Sequence, residues 1–150
     1  DSYYDSQLVL VVKKGSKYAN ATSLADFAGA KVTAQLNTFH YSVIDQIPGV
    51  EKQAAMDNFP AMRVALQAGT IDAYVSELPE ALSAQAANSD FVMVKLTDGF
   101  KVSPEDIQTA VGVKKDSPLT KEINEALKTI SSEERQQIMQ EAIKNQPAAE

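Results

Sequence analysis

Two stretches place polar side chains where an apolar run gives way to a helical pattern. In Gln35-Leu36-Asn37-Thr38-Phe39 the changeover takes two or three residues; in Val75-Ser76-Glu77-Leu78-Pro79 an acid stands just ahead of a proline. At the first, a helix N-terminus offers unpaired N–H groups and a partial positive charge to a carboxylate or phosphate. Thr38 can either donate its hydroxyl to that anion or cap the helix. At the second, Glu77 can meet an ammonium group or, with Glu80, complement the dipole of the helix that opens near Pro79. Ligands of open α/β sheets bind outside the carboxyl ends of strands, and an anion hole beside a carboxylate at one such edge suits a zwitterionic amino acid.

Other chemistries lack their residues. There is no cysteine, hence no disulfide, thiolate metal site or thiol nucleophile, and the single histidine, His40, cannot make a His-rich metal cluster. In the first turn of a helix, a lone histidine reads as structural. The six glycines are scattered, so neither a dinucleotide fingerprint nor a phosphate loop can be written, and no Gly-x-Ser-x-Gly elbow exists. Acids outnumber Lys and Arg by 20 to 14, a net charge of −6 that argues against a nucleic-acid partner. No cofactor and no metal is expected.

The elements that must position the two stretches alternate along the chain. Leu8–Val12 is a continuous aliphatic run, read as a strand buried on both faces and far too short to span a bilayer. Further strands are expected at Lys31–Gln35, Val50–Ala54, Asp72–Val75, Phe91–Leu96 and Ala110–Val113. Helical spacing marks Phe39 to Ile47, Phe59 to Leu66, capped by Asp57 or Asn58 and closed by Gly69, and Pro79–Ala87. Two helices end the pattern: Leu119 to Ile130 behind Ser117-Pro118, and Ser131 onward, where Ser131-x-x-Glu134 forms a capping box. Strand–helix alternation with short loops predicts the α/β class, a mostly parallel sheet with helices on both faces, plus two C-terminal helices. With 44% apolar and 23% charged residues over 150 positions, the composition is that of a globular domain.

Leu8 to Lys14, Val32 to Thr38, Ala65-Leu66-Gln67-Ala68-Gly69-Thr70-Ile71-Asp72-Ala73-Tyr74, Glu77-x-Pro79 and Val111 to Lys115 together resemble the extracellular solute-binding proteins of amino-acid ABC transporters (family 3, type 2 periplasmic-binding fold). The resemblance implies a two-lobed receptor that closes on its ligand. It implies that Thr38 and the backbone after it hold the α-carboxylate, that Glu77 takes the α-ammonium, and that Gln35, Asn37, Phe39 and Ser76 border the pocket. Asn37 stands where the family has Gly, and Asn tolerates left-handed backbone; Glu77 stands where the family has Asp. The stretch from Thr38 to Gly49 is most similar to members that take polar or basic amino acids, such as arginine, lysine or glutamine.

The same resemblance divides the chain. Residues 1–4 match a hinge remnant, so that the opening Asp1-Ser2-Tyr3-Tyr4 reads as a processed or excised start. Residues 5–97 match the second lobe, 98–109 a return crossover, 110–146 a strand and two helices of the first lobe, and 147–150 a tail. Apolar stripes made for an absent partner are expected to pack on the second lobe in a new way or to drive self-association through the C-terminal helices. The implied partners are a free amino acid and an ABC permease. The implied setting is periplasmic or extracellular, anchored as a lipoprotein or fused to the permease, with no catalysis. Two alternatives on the same fold are a dehydratase-like enzyme and a ligand-sensing regulatory domain; the former would need a second catalytic group that the chain does not offer, the latter DNA-binding helices.

Overall fold

The computed structural model describes residues 1–146, so the expected tail at 147–150 lies outside the described residues. In chain order the elements are β1 (Ser2–Asp5), β2 (Leu8–Lys13), a 3-10 turn at Leu24–Phe27, β3 (Lys31–Thr33), α1 (Phe39–Val43) running into a 3-10 turn at Ile44–Gln46, β4 (Glu51–Lys52), α2 (Phe59–Ala68), β5 (Ala73–Glu77), α3 (Leu78–Ala87), β6 (Phe91–Val94), α4 (Pro104–Ile107), β7 (Gln108–Ala110), α5 (Leu119–Lys128) and α6 (Ser132–Lys144). The class is α/β: five strands form one sheet in the order β4-β3-β5-β2-β6.

Four of these strands point the same way. β3 pairs in parallel with β4 and β5, whereas β2 runs antiparallel to both β5 and β6. β2 is buried on both faces, as its unbroken aliphatic run requires. Its reversed direction is not encoded by that run, because any strand covered on both faces needs the same residues.

Alternation along β2 divides the core. Leu8, Leu10 and Val12 face Phe27, Val43 and Ile44, while Val9 and Val11 face Met62 and Leu66 of α2 and Ala81 and Ala84 of α3. Helices therefore cover both faces. α2 is held at its ends as its sequence predicts: Asn58 Oδ1 accepts the Ala61 N–H at 2.9 Å, and Gly69 closes it at φ 76°.

Several boundaries move. The strand expected at Val50–Ala54 contracts to Glu51–Lys52, and that at Lys31–Gln35 ends at Thr33 with a single bridge from Gln35 to Met56. The strand expected at Ala110–Val113 is corrected to Gln108–Ala110. It pairs antiparallel with β1, and the register already sets Ser2 opposite Ala110, so Val111 and Val113 have no strand to join and stand 49% and 37% exposed. Pro118, not Ser117, occupies the cap of α5, and Ser117 Oγ accepts the Leu119 N–H at 3.3 Å. The Ser131–Glu134 capping box of α6 forms as expected.

Among the described residues, none after Val94 is buried. α6 and the residues just after it meet the body through polar contacts: Ser83 Oγ donates to Gln146 Oε1 at 2.7 Å, and Arg135 Nη1 of α6 donates to the Ser2 carbonyl at 3.0 Å. Its apolar side remains open, with Ile138 57% exposed beside a groove of about 240 Å³ lined by Tyr3, Tyr4, Leu127, Ile130 and Met139. The chain exposes 9047 Å², against about 7,500 Å² expected from the size scaling of compact monomers at this mass. Among the described residues, no helix is long and apolar enough to cross a membrane, and no group of three or more His, Asp or Glu could hold a metal ion.

Replacing Leu10, fully buried at the centre of the sheet, with alanine should lower the unfolding free energy in urea by about 3 kcal/mol. Ile138→Ala should lower it by less than about 1 kcal/mol. Equal losses at the two positions would show that α6 is built into the core.

Candidate functional site

β5 ends between two helices of opposite faces, and alternation sends its last side chains apart. Tyr74 and Ser76 turn toward α2 and α3. Glu77, the next residue, turns toward α1 and caps the start of α3 without bonding to it. Its Oε1 lies 3.0 Å from Nε2 of His40, whose side chain is 9% exposed against 32% for Glu77. An ionised carboxylate can only accept, so the imidazole Nε2 carries the hydrogen; Nδ1 is buried and has no partner. The His40 hydrogen bond holds the Glu77 carboxyl below its ordinary range, against the desolvation that pushes it up. Tyr4 of β1 feels the same charge: burial, and then Glu77, push its phenol up.

Ser76 does not join this group. It is fully buried, and its hydroxyl donates to Glu80 Oε2, while Glu80 Oε1 takes Arg63 Nε at 3.0 Å and Nη2 at 2.6 Å. The expectation that Ser76 borders a pocket is corrected by strand geometry: residue 76 faces away from residue 77. The Arg63–Glu80–Ser76 cluster ties α2 to α3 behind the sheet, and desolvation raises the buried Tyr74 phenol beside it.

At the other stretch Asn37 adopts φ 60°, the left-handed turn that Asn tolerates. Thr38 stands at the cap of α1, but its hydroxyl donates to the Gln35 carbonyl at 2.7 Å and makes no cap bond. Its one hydrogen is engaged, so an anion at this turn would meet the unpaired backbone N–H groups of α1. Gln35 Nε2 donates to the Asp57 carbonyl at 3.2 Å. The Phe39 ring lies 4.2 Å from that of His40 and borders a cleft of about 370 Å³ with Gln46, Lys101 and Asp106. The structure thus brings α1 against Glu77 through His40, the second residue of that helix. Sequence reasoning passed over His40 as structural; its place two residues after Thr38 was the signal.

No family model and no curated protein matches the chain. Solved structures do. An amino acid ABC transporter substrate-binding protein from Streptococcus pneumoniae bound to L-arginine is 26% identical with a TM-score of 0.74, covering 96% of this chain and 60% of its own. Holo arginine-binding protein from T. maritima is 27% identical with a TM-score of 0.67, covering 89% and 57%. An ancestral arginine-binding protein bound to glutamine is 27% identical with a TM-score of 0.67, covering 97% and 63%. The resemblance to amino-acid ABC transporter substrate-binding proteins holds in three dimensions. This chain spans about 60% of the length of the first of these structures. All three neighbours are substrate-binding proteins.

Two outcomes follow from the charge pairs. Arg63→Ala leaves the Glu80 carboxylate, 15% exposed, without its cation and should cost about 2 kcal/mol in urea unfolding. Because folding lowers Glu77 from its ordinary 4.5, the stability it contributes is present above that value and is lost as pH falls through the lower, folded one. Unfolding free energies measured between about pH 5 and pH 3 should show this loss in the wild type and a smaller one in Glu77→Gln.

Proposed function

We propose that this chain is an amino-acid-binding part of an ABC importer, holding a free polar or basic amino acid such as arginine, lysine or glutamine without covalent chemistry. The observation that carries the reading is Glu77. It is a carboxylate kept ionised and one-third exposed at the carboxyl end of β5, beside the first turn of α1, in a fold shared with proteins solved with L-arginine or glutamine bound. Glu77 takes the α-ammonium. The backbone N–H groups that follow Thr38 take the α-carboxylate, the left-handed Asn37 sets the turn, and Gln35 and Phe39 border the ligand.

The division of the chain follows the same reading. Residues 1–4 and 98–109 are the two crossovers between lobes, and the antiparallel pairing of β1 with β7 supports this. Residues 5–97 are the second lobe. Residues 110–146 belong with the first lobe, which agrees with their open apolar stripes. The partner in transport is a permease, and the setting is extracellular or periplasmic, with the receptor anchored as a lipoprotein or fused to the permease. In isolation, α5 and α6 favour self-association.

A chain spanning 60% of an arginine-bound relative makes only part of the contacts. Calorimetry with L-arginine should therefore give a dissociation constant of about 1 mM or weaker, near −4 kcal/mol, and Glu77→Ala should abolish the heat. Micromolar binding would show that one lobe suffices; millimolar binding untouched by Glu77→Ala would remove Glu77 from the site.

A further inference from the structure

The carboxylate read above as the ammonium site already has a hydrogen-bond partner inside the protein. His40 Nε2 sits 3.0 Å from Glu77 Oε1, on a ring nine-tenths buried and packed 4.2 Å from Phe39. Nothing else holds that ring: Nδ1 is buried with no partner. A histidine kept only for structure would be expected to satisfy both nitrogens, since a buried unpaired polar atom costs stability. Here the one polar contact is with the group that a ligand would need.

We infer that His40 is a resident competitor for Glu77, so that a ligand's α-ammonium and a positively charged His40 ring exclude one another at this carboxylate. The inference rests on the reading that Glu77 binds the ammonium. The electrostatics are simple. A protonated imidazole beside Glu77 neutralises it and repels a second cation; a neutral imidazole still donates Nε2–H but leaves the negative charge to the ligand. Loading the site therefore favours the neutral ring, and binding strengthens as pH rises. Few other groups contribute. Tyr4 reaches Glu77 from β1 and is neutral in this range. Arg63 of α2 and Glu80 of α3 are bound to each other on the sheet's far face. Lys101 and Asp106 border the cleft beyond Phe39.

His40 is the one histidine of the chain, so its imidazole NMR signal needs no assignment. The test titrates the full chain with L-arginine, and with Nα-acetyl-L-arginine, which lacks the α-ammonium, up to tens of millimolar, well above a constant of about 1 mM. Arginine should move the imidazole signal toward its neutral position at fixed pH, and the acetylated compound should not. Wild-type affinity should rise by up to about tenfold from pH 5 to pH 8, while His40→Gln should bind arginine more tightly than wild type at pH 5 and with a flatter profile. A shared pH profile, or weaker binding by His40→Gln at every pH, overturns the inference, because His40 then supports Glu77 instead of competing for it. If the variant does not fold, an imidazole signal that ignores arginine in the wild type overturns it alone. Failure of the underlying reading looks different: Glu77→Gln would then bind arginine as the wild type does.

Discussion

β5 is held in a register that neither neighbour lets slip. Val32 and Thr33 of β3 stand opposite Ala73 and Tyr74, and on the other side β2 runs from Leu8 opposite Glu77 to Val12 opposite Ala73. A shift of one residue would exchange the two faces of the strand. Tyr74 would leave the cluster formed with Met62 and Leu66, Val75 would leave the one formed with Val43 and Ile44, and Glu77 would point at α2. The location of the carboxylate therefore depends on core packing several residues away. Adjacent acids and hydroxyls at the strand's end, Ser76 and Glu77, serve opposite sides of the sheet: one joins helices behind it, the other faces the turn that opens α1.

Much of this was legible from local pattern. The aliphatic run of β2, the helical stripe and caps of α2, the capping box of α6 and the strand-to-helix changeovers at 35–39 and 75–79 each carry their own chemistry, and each forms. What the pattern did not hold was direction and pairing. Leu8–Val12 is equally suitable for either polarity, and the chain's long path between β2 and β3 leaves the choice to tertiary packing. The sequence puts the last strand two to three residues too late because Val111 and Val113 are apolar, whereas the ladder follows hydrogen-bond partners and runs out at Ser2. His40 was hidden for the opposite reason. Its spacing suits a core position on α1, and it is buried there; only the fold reveals that the ring ends on Glu77.

The C-terminal helices show how far polar contacts alone can go. α5 and α6 have clear apolar stripes, yet none of their described residues is buried, and they are attached by a two-stranded ladder, by Arg135 reaching Ser2 and Leu127, and by the N-terminal ammonium on Asn124. Such hydrogen bonds at a wet surface contribute about 1 kcal/mol each, comparable with burying one methylene. They can orient the helices without compensating for a stripe left in water. The groove between Tyr3 and Met139 is thus lined by apolar side chains that the described chain covers only in part.

The contact between Glu77 and His40 depends on the length of the acid. An aspartate on the same backbone would hold its carboxylate about 1.5 Å nearer the strand, one carbon–carbon bond less. The 3.0 Å contact with His40 would then stretch beyond hydrogen-bonding distance. The extra methylene of Glu77 lets the carboxylate reach into the first turn of α1, and the histidine there gives it a partner that limits how negative the edge of the sheet becomes. A histidine beside a shorter acid would leave Nε2 as well as Nδ1 buried without a partner. The reach of the acid thus sets which side chain of α1 meets the carboxyl end of β5.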